Sequence, residues 1–136
     1  MTMSLETLLS QLNKVWLDKG LQKLSNLVTD YGLDAFAATL HEAAIEKGFW
    51  DGEVSYDKLG NKLALVHSEV TEVLEALRKS KGSEEIVEEI SDVIIRLLDV
   101  YAAMRNAGIV DHSLDDVLHK KINKNLSRPK LHGNLF

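Results

Sequence analysis

The sequence predicts an all-α fold, an antiparallel bundle of about five helices joined by short loops. Apolar residues recur at intervals of three and four through most of the chain, which places them on one face of a helix. The single proline, Pro129, lies beyond the last strongly periodic segment, so nothing forces an earlier helix to break. Short links between long helices favour antiparallel neighbours packed as a bundle.

The first periodic segment contains leucines from Leu5 to Leu27, and Gly20 interrupts it, so it predicts one helix or a broken pair. We treat residues 1–30 as an N-terminal helical extension and residues 31–136 as the main domain. A second helix is expected behind Asp34 as its N-cap, with Gly48 as a left-handed C-cap. The segment that follows, residues 49–56, has the composition of a loop.

Two long amphipathic helices follow this loop. The first of them should begin between Asp57 and Asn61 and end in a basic turn at Arg78. The next should begin with Ser83 as its N-cap, and its helical period persists through the β-branched run at residues 93–95.

A final helix is expected behind Ser113, which forms a capping-box pattern with Asp116. This helix continues into a basic C-terminal tail.

The composition excludes several functional classes. A net charge of −5 argues against a general affinity for nucleic acid or anionic lipid. The absence of cysteine excludes disulfides, thiolate metal sites and a cysteine nucleophile. The N-terminus lacks the pattern of a secretion signal, and charges interrupt every long apolar stretch. We therefore expect a cytoplasmic protein that does not bind membranes.

Four acidic residues form two pairs with the same spacing on the two long helices. Glu69 and Glu72 are three residues apart on one helix, and Glu89 and Asp92 are three apart on the next. In an antiparallel hairpin both pairs can converge on one point, although like charges so close together destabilise each helix slightly. Four hard oxygen donors favour Mg²⁺, with Mn²⁺ as a substitute, over zinc.

The same acids have an ordinary structural explanation, because glutamate is common on solvated helix faces.

The charge of the C-terminal tail is a second observation that bears on a metal site. From Val117 onward it has no acidic residue, and it carries cations that suit a metal-bound polyphosphate. A tail that complements its own helix dipole is the structural alternative.

The residues of the two acidic pairs resemble a known family. The pattern Glu69-x-x-Glu72, sixteen intervening residues and Glu89-x-x-Asp92 resembles the signature of MazG-like, all-α nucleoside triphosphate pyrophosphatases. The resemblance extends from about His41 to the end of the chain, and within the family this region is similar to the bacterial and phage branch. Many members carry a second glutamate immediately before the first motif, where this chain has a serine.

The resemblance implies hydrolysis of (deoxy)nucleoside triphosphates to a monophosphate and pyrophosphate, for cleansing or regulation of a nucleotide pool. It implies that the four acids hold Mg²⁺ and act in catalysis, and that Lys121, Asn125 and Arg128 hold the triphosphate. It also implies subunit pairing that completes a four-helix core, in a homodimer or homotetramer. His41 and Trp50 have the spacing of residues that line the base pocket in deoxycytidine-preferring relatives, although both could equally be structural.

Two alternative functions fit the same residues. A phosphoribosyl-ATP pyrophosphohydrolase would share the helical fold and acidic ligands. A helical adaptor without enzymatic activity would carry the same acids as solvated surface.

Overall fold

A computed structural model describes the backbone of residues 24–135 and the side chains of residues 31–135. Four α-helices make up most of this region, followed by a short 3₁₀ turn. Their bounds are α1 Leu24–Glu46, α2 Tyr56–Arg78, α3 Ser83–Asn106 and α4 Leu114–Leu126. The described residues contain no strand, which confirms the all-α prediction for this region. The expected helix from Leu5 lies almost entirely outside the described residues.

Helix boundaries agree closely with the sequence pattern in several places. Ser113 is the N-cap of α4, and its hydroxyl accepts a hydrogen bond from the Asp116 amide at 3.3 Å, as predicted. Gly48 and Gly108 follow their helices with φ values of 81° and 73°. Ser83 is the first residue of α3 rather than its N-cap, so that prediction is wrong by one position.

The predicted start of the second helix at Asp34 is also wrong. Helix α1 extends from Leu24, and its non-helical point is Gly32, with φ 85° and ψ 177°. Because the helical path resumes immediately after this glycine, Asp34 lies in the following turn. The capping carboxylate comes from Asp115, which accepts hydrogen bonds from the Leu33 and Asp34 amides at 2.9 and 3.1 Å.

Asp34 in turn caps α4, so α4 and the helical segment after Gly32 cap each other. Its carboxylate accepts hydrogen bonds from the Leu114 and Asp115 amides at 3.0 and 3.2 Å and from the Ser113 hydroxyl at 2.6 Å. The Tyr101 hydroxyl donates to the same carboxylate. Partial burial alone would raise the pKa of Asp34, but these hydrogen bonds outweigh it and hold the pKa well below its usual range.

The core lies where α1 crosses the C-terminal half of α3. One cluster joins small and aromatic residues of α1 to α3, and a second joins the loop and α2 to α3. The first contains Ala35, Phe36, Ala37, Leu98 and Ala102; the second contains Trp50, Leu59, Val100 and Ala103. Helix α3 is therefore the central element, since both α1 and α2 pack against it.

Helices α2 and α3 form an antiparallel hairpin that is covered by the described core at only one end. Leu59 packs near Val100 at that end, and Glu69 contacts Arg96 further along. Toward the tip, many apolar side chains of both helices are exposed. They include Val70, Leu74, Leu77, Val87, Ile90 and Ile94. Among the described residues, no helix combines the length and apolar character needed to cross a membrane.

Candidate functional site

Three of the four predicted ligands meet in the middle of the α2–α3 hairpin. One carboxylate oxygen from each of Glu69, Glu89 and Asp92 lies within 4.8 Å of the others. Glu89 and Asp92 share a face of α3 because they are three residues apart, and the antiparallel hairpin brings Glu69 of α2 opposite them. Glu72 is exposed and lies outside this set.

The cluster concentrates negative charge around Glu89. Desolvation raises the pKa of the Glu89 carboxyl, and the charges of Glu72, Asp92 and Glu69 raise it further, while Lys81 opposes them. Glu72 is therefore close enough to act electrostatically on Glu89. A cation bound here would relieve the repulsion among these groups.

Arg96 supplies one positive charge at the edge of the cluster. Its Nε donates to Glu69 Oε1 at 2.6 Å, and the Glu69 side chain is only 16% exposed against 42% for Arg96. Arg96 follows Asp92 by one helical turn, so both lie on the same face of α3. The arginine thus holds the acid of α2 against α3.

The donor set of the cluster suits a hard divalent cation. Mg²⁺ binds oxygens at about 2.1 Å, so two oxygens on opposite sides of one ion are about 4.2 Å apart. The oxygens of Glu69, Glu89 and Asp92 need only small side-chain adjustments to meet this limit. Three carboxylates without nitrogen or sulfur favour Mg²⁺ or Mn²⁺ over zinc.

A cavity of about 340 Å³ adjoins the cluster and shares Asp92 and Arg96 with it. Its wall is mainly apolar and is formed by α1, the loop after it, α2 and α3. The lining residues are Leu40, Ala43, Ala44, Lys47, Phe49, Lys62, Asp92, Ile95, Arg96, Asp99 and Val100. An apolar cavity of this size with a few polar groups is typical of small-molecule sites.

The far end of the cavity has a buried polar group, Asp99. His41 Nδ1 lies 2.7 Å from Asp99 Oδ1, and Trp50 Nε1 donates to both carboxylate oxygens at 3.0 Å. The rings of His41 and Trp50 meet edge to face at 5.2 Å between centroids. Both predicted base-pocket residues are buried here, and they reach the cavity through Asp99 rather than lining it themselves.

Lys62 fixes the loop that covers this end. Its Nζ donates to the Phe49 carbonyl at 2.7 Å and lies 4.8 Å from the centroid of the Trp50 ring. Phe49, in contrast, is 63% exposed and lines the cavity. The loop therefore presents one aromatic ring to the cavity and buries the other.

The structure does not bring the predicted tail residues to the acidic cluster within one chain. Lys121, Asn125 and Arg128 are exposed, and α4 packs against α1 rather than against the α2–α3 hairpin. Within the described part of the chain, the cations that line the cavity are Lys47, Lys62 and Arg96. The role of the tail in holding a triphosphate stays a prediction.

Arg96 and Asp99 line the cavity but were not predicted from the sequence, although a signal for both was present. They follow Asp92 by four and seven residues, the spacing that keeps side chains on one helix face. Lys62 and Phe49 carried no comparable signal, since their position depends on how the loop folds.

Comparisons of the chain with protein-family models, with functionally characterised proteins and with solved structures give no match.

Proposed function

We propose that this protein is a Mg²⁺-dependent nucleoside triphosphate pyrophosphohydrolase, which converts a (deoxy)nucleoside triphosphate to its monophosphate and pyrophosphate. The observation that carries the proposal is the position of the acidic cluster at the rim of the cavity. Asp92 belongs to both, so a metal ion and an organic ligand would be neighbours there. A solvated acidic surface would not require an adjoining apolar cavity.

Glu69, Glu89 and Asp92 would hold Mg²⁺, with Glu72 close enough to add its charge. When bound, Mg²⁺ would neutralise phosphate charge and make water a better nucleophile. The raised pKa of Glu89 reflects desolvation and the charges of the neighbouring carboxylates, which a bound cation would offset.

Arg96 is the cation best placed to meet the phosphates. It lies in the cavity wall beside Asp92. Among the described residues, its hydrogen-bond partner is Glu69, which accepts from the Arg96 Nε. The remaining guanidinium N–H groups suit phosphate oxygens, which arginine binds with paired hydrogen bonds. Arg96 would neutralise charge on the α-phosphate or on the leaving pyrophosphate.

We also propose that two copies of the chain pair through the tips of their hairpins. Both helices expose large apolar side chains there, among them Val70 at 51% and Leu74 at 53% exposure. A second copy would cover this surface and complete a four-helix core, as the motif resemblance implies. Leu74→Glu should yield monomers in light scattering, whereas Leu126→Glu on the exposed face of α4 should not.

Incubation with a panel of (d)NTPs in Mg²⁺ and in EDTA tests the proposed activity. We expect monophosphate and pyrophosphate in equal amounts in Mg²⁺, and no turnover in EDTA. Release of orthophosphate would contradict the proposed cleavage position. Turnover of phosphoribosyl-ATP alone would assign the related pyrophosphohydrolase instead, and absence of all turnover and of Mg²⁺ binding would favour an adaptor.

A further inference from the structure

We propose that Asp99 selects nucleotides whose base carries a 4-amino group on a pyrimidine or a 6-amino group on a purine, namely cytosine or adenine. The inference rests on the proposed function, because it assigns the base end of the same cavity. In the part of the cavity wall that the structure describes, the two carboxylates are Asp99 and Asp92, and of these Asp99 is the buried one. A buried carboxylate in an apolar wall is costly unless it is hydrogen-bonded.

The hydrogen bonds to Asp99 leave room for one more donor. Oδ1 accepts from His41 Nδ1 at 2.7 Å and from Trp50 Nε1 at 3.0 Å, which occupies both of its lone pairs. Among the described side chains, Oδ2 accepts from Trp50 alone, also at 3.0 Å. The indole N–H can only donate, so it and His41 fix the carboxylate as an acceptor that faces the cavity.

A single free acceptor discriminates among the bases. The amino group of cytosine or adenine offers one N–H to a carboxylate oxygen, a pairing well suited to Asp and Glu. Guanine presents two adjacent N–H donors that need both oxygens, and Oδ1 is already occupied. Uracil and thymine flank their one N–H with two carbonyl oxygens, one of which would face the carboxylate.

The spacing along α3 places the base and the phosphates at opposite ends of one cavity. Asp92 and Asp99 are seven residues apart, so they share a helix face about 10 Å apart along the axis. Arg96 lies between them on the same face. A nucleotide whose base amino group meets Asp99 therefore extends its phosphates toward Arg96 and the acidic cluster.

Deleting the amino group from the substrate tests the inference without altering the protein. We expect kcat/KM to fall at least about tenfold from dCTP to the triphosphate of 2-pyrimidinone deoxyriboside, which lacks that group. Equal kcat/KM values for these two substrates, or dUTP hydrolysed as fast as dCTP, would overturn it.

Asp99→Asn gives a matched test on the protein side. The amide keeps an oxygen that can accept from Trp50 and His41, but it presents an N–H group to the ligand. The ratio of kcat/KM for dCTP to kcat/KM for dUTP should therefore fall or reverse. Asp111→Asn, at a side chain that is 90% exposed, should leave the preference unchanged. An unchanged preference in a folded Asp99→Asn protein would contradict the proposal.

Binding in EDTA separates this inference from the proposed function. Calorimetry with dCMP and the 2-pyrimidinone monophosphate needs no turnover. If dCMP binds more tightly but no nucleotide is hydrolysed, the proposed function fails and the role of Asp99 stands. If both analogues bind equally or neither binds, the role of Asp99 is wrong whatever the activity.

Discussion

Replacing Asp34 with alanine should loosen the junction between α1 and α4 more than any other single carboxylate change in that region. Asp34 accepts two backbone N–H groups at the start of α4 and two hydroxyl groups, and its side chain is 22% exposed. Without the carboxylate, the Asp115 amide loses its acceptor, while the Leu114 amide keeps the Tyr101 hydroxyl at 2.8 Å. Tyr101 keeps the His112 carbonyl as an alternative partner at 3.0 Å.

The expected cost follows from these contacts. Loss of an N-cap side chain costs about 0.5–2 kcal/mol. Hydrogen bonds from hydroxyls to a charged acceptor add about 1.5–3 kcal/mol each when buried, but water and the His112 carbonyl recover part of this. We therefore expect Asp34→Ala to lower the free energy of unfolding by about 2–4 kcal/mol, and Asp34→Asn by less.

Urea denaturation at fixed protein concentration and neutral pH measures this change. Asp116→Ala is the matched control, because Asp116 is an exposed acid in the first turn of α4. Its effect should stay below about 1 kcal/mol, the helix-dipole contribution. If Asp34→Ala costs no more than Asp116→Ala, the reciprocal capping does not stabilise the junction and the reasoning fails.

The remaining predictions concern the same junction and the site. Gly32→Ala should lower the free energy of unfolding by about 2–4 kcal/mol, because its Cβ would lie 2.8 Å from the Asp115 carboxylate at a residue with φ 85°. Gly48→Ala meets no neighbour and should lower it by about 1 kcal/mol. Equal losses for the two variants in urea denaturation would contradict this. Because the pKa of Asp34 is lower in the folded than in the unfolded state, its contribution to the free energy of unfolding is fully present above pH 3.8 and is lost progressively as the pH falls below that value. The difference in free energy of unfolding between wild type and Asp34→Ala, measured in urea, should therefore shrink in acid. A difference that stays constant with pH would refute this. Arg96→Gln should reduce kcat by at least about tenfold, while stability changes by less than about 1 kcal/mol because Arg96 is 42% exposed; unchanged turnover would refute its phosphate role.

Much of the fold could be predicted because it depends on local patterns. The helical period of α2 and α3, the capping residue Ser113 and the C-terminal glycines are each set within a few residues of sequence. The kink of α1 at Gly32 could not be predicted in this way. The carboxylate that caps the helical segment after it, Asp115, is 82 residues from the Leu33 amide whose hydrogen bond it accepts, so no local pattern reports it.

The candidate site likewise combines features that follow from local spacing with features that depend on tertiary packing. Spacing predicted that all four acids would converge, since two i, i+3 pairs on an antiparallel hairpin can meet at one point. Glu69, Glu89 and Asp92 do meet, whereas Glu72 lies outside their cluster. Spacing could not show that Asp99 is buried against His41 and Trp50, because this depends on a loop that folds back over α3. Nor could it show that the tail residues lie away from the cluster, since the packing of α4 on α1 sets their position.

The most direct test of the central claim compares nucleotide hydrolysis by two neighbouring variants, Glu89→Gln and Glu88→Gln. Both remove one negative charge from α3, but Glu89 belongs to the acidic cluster and Glu88 is exposed outside it. We expect Glu88→Gln to release monophosphate and pyrophosphate in Mg²⁺ at nearly the wild-type rate. The kcat of Glu89→Gln should fall at least about a hundredfold, while its melting temperature stays unchanged or rises. Equal rates for the two variants would contradict the assignment of the cluster as the catalytic metal site.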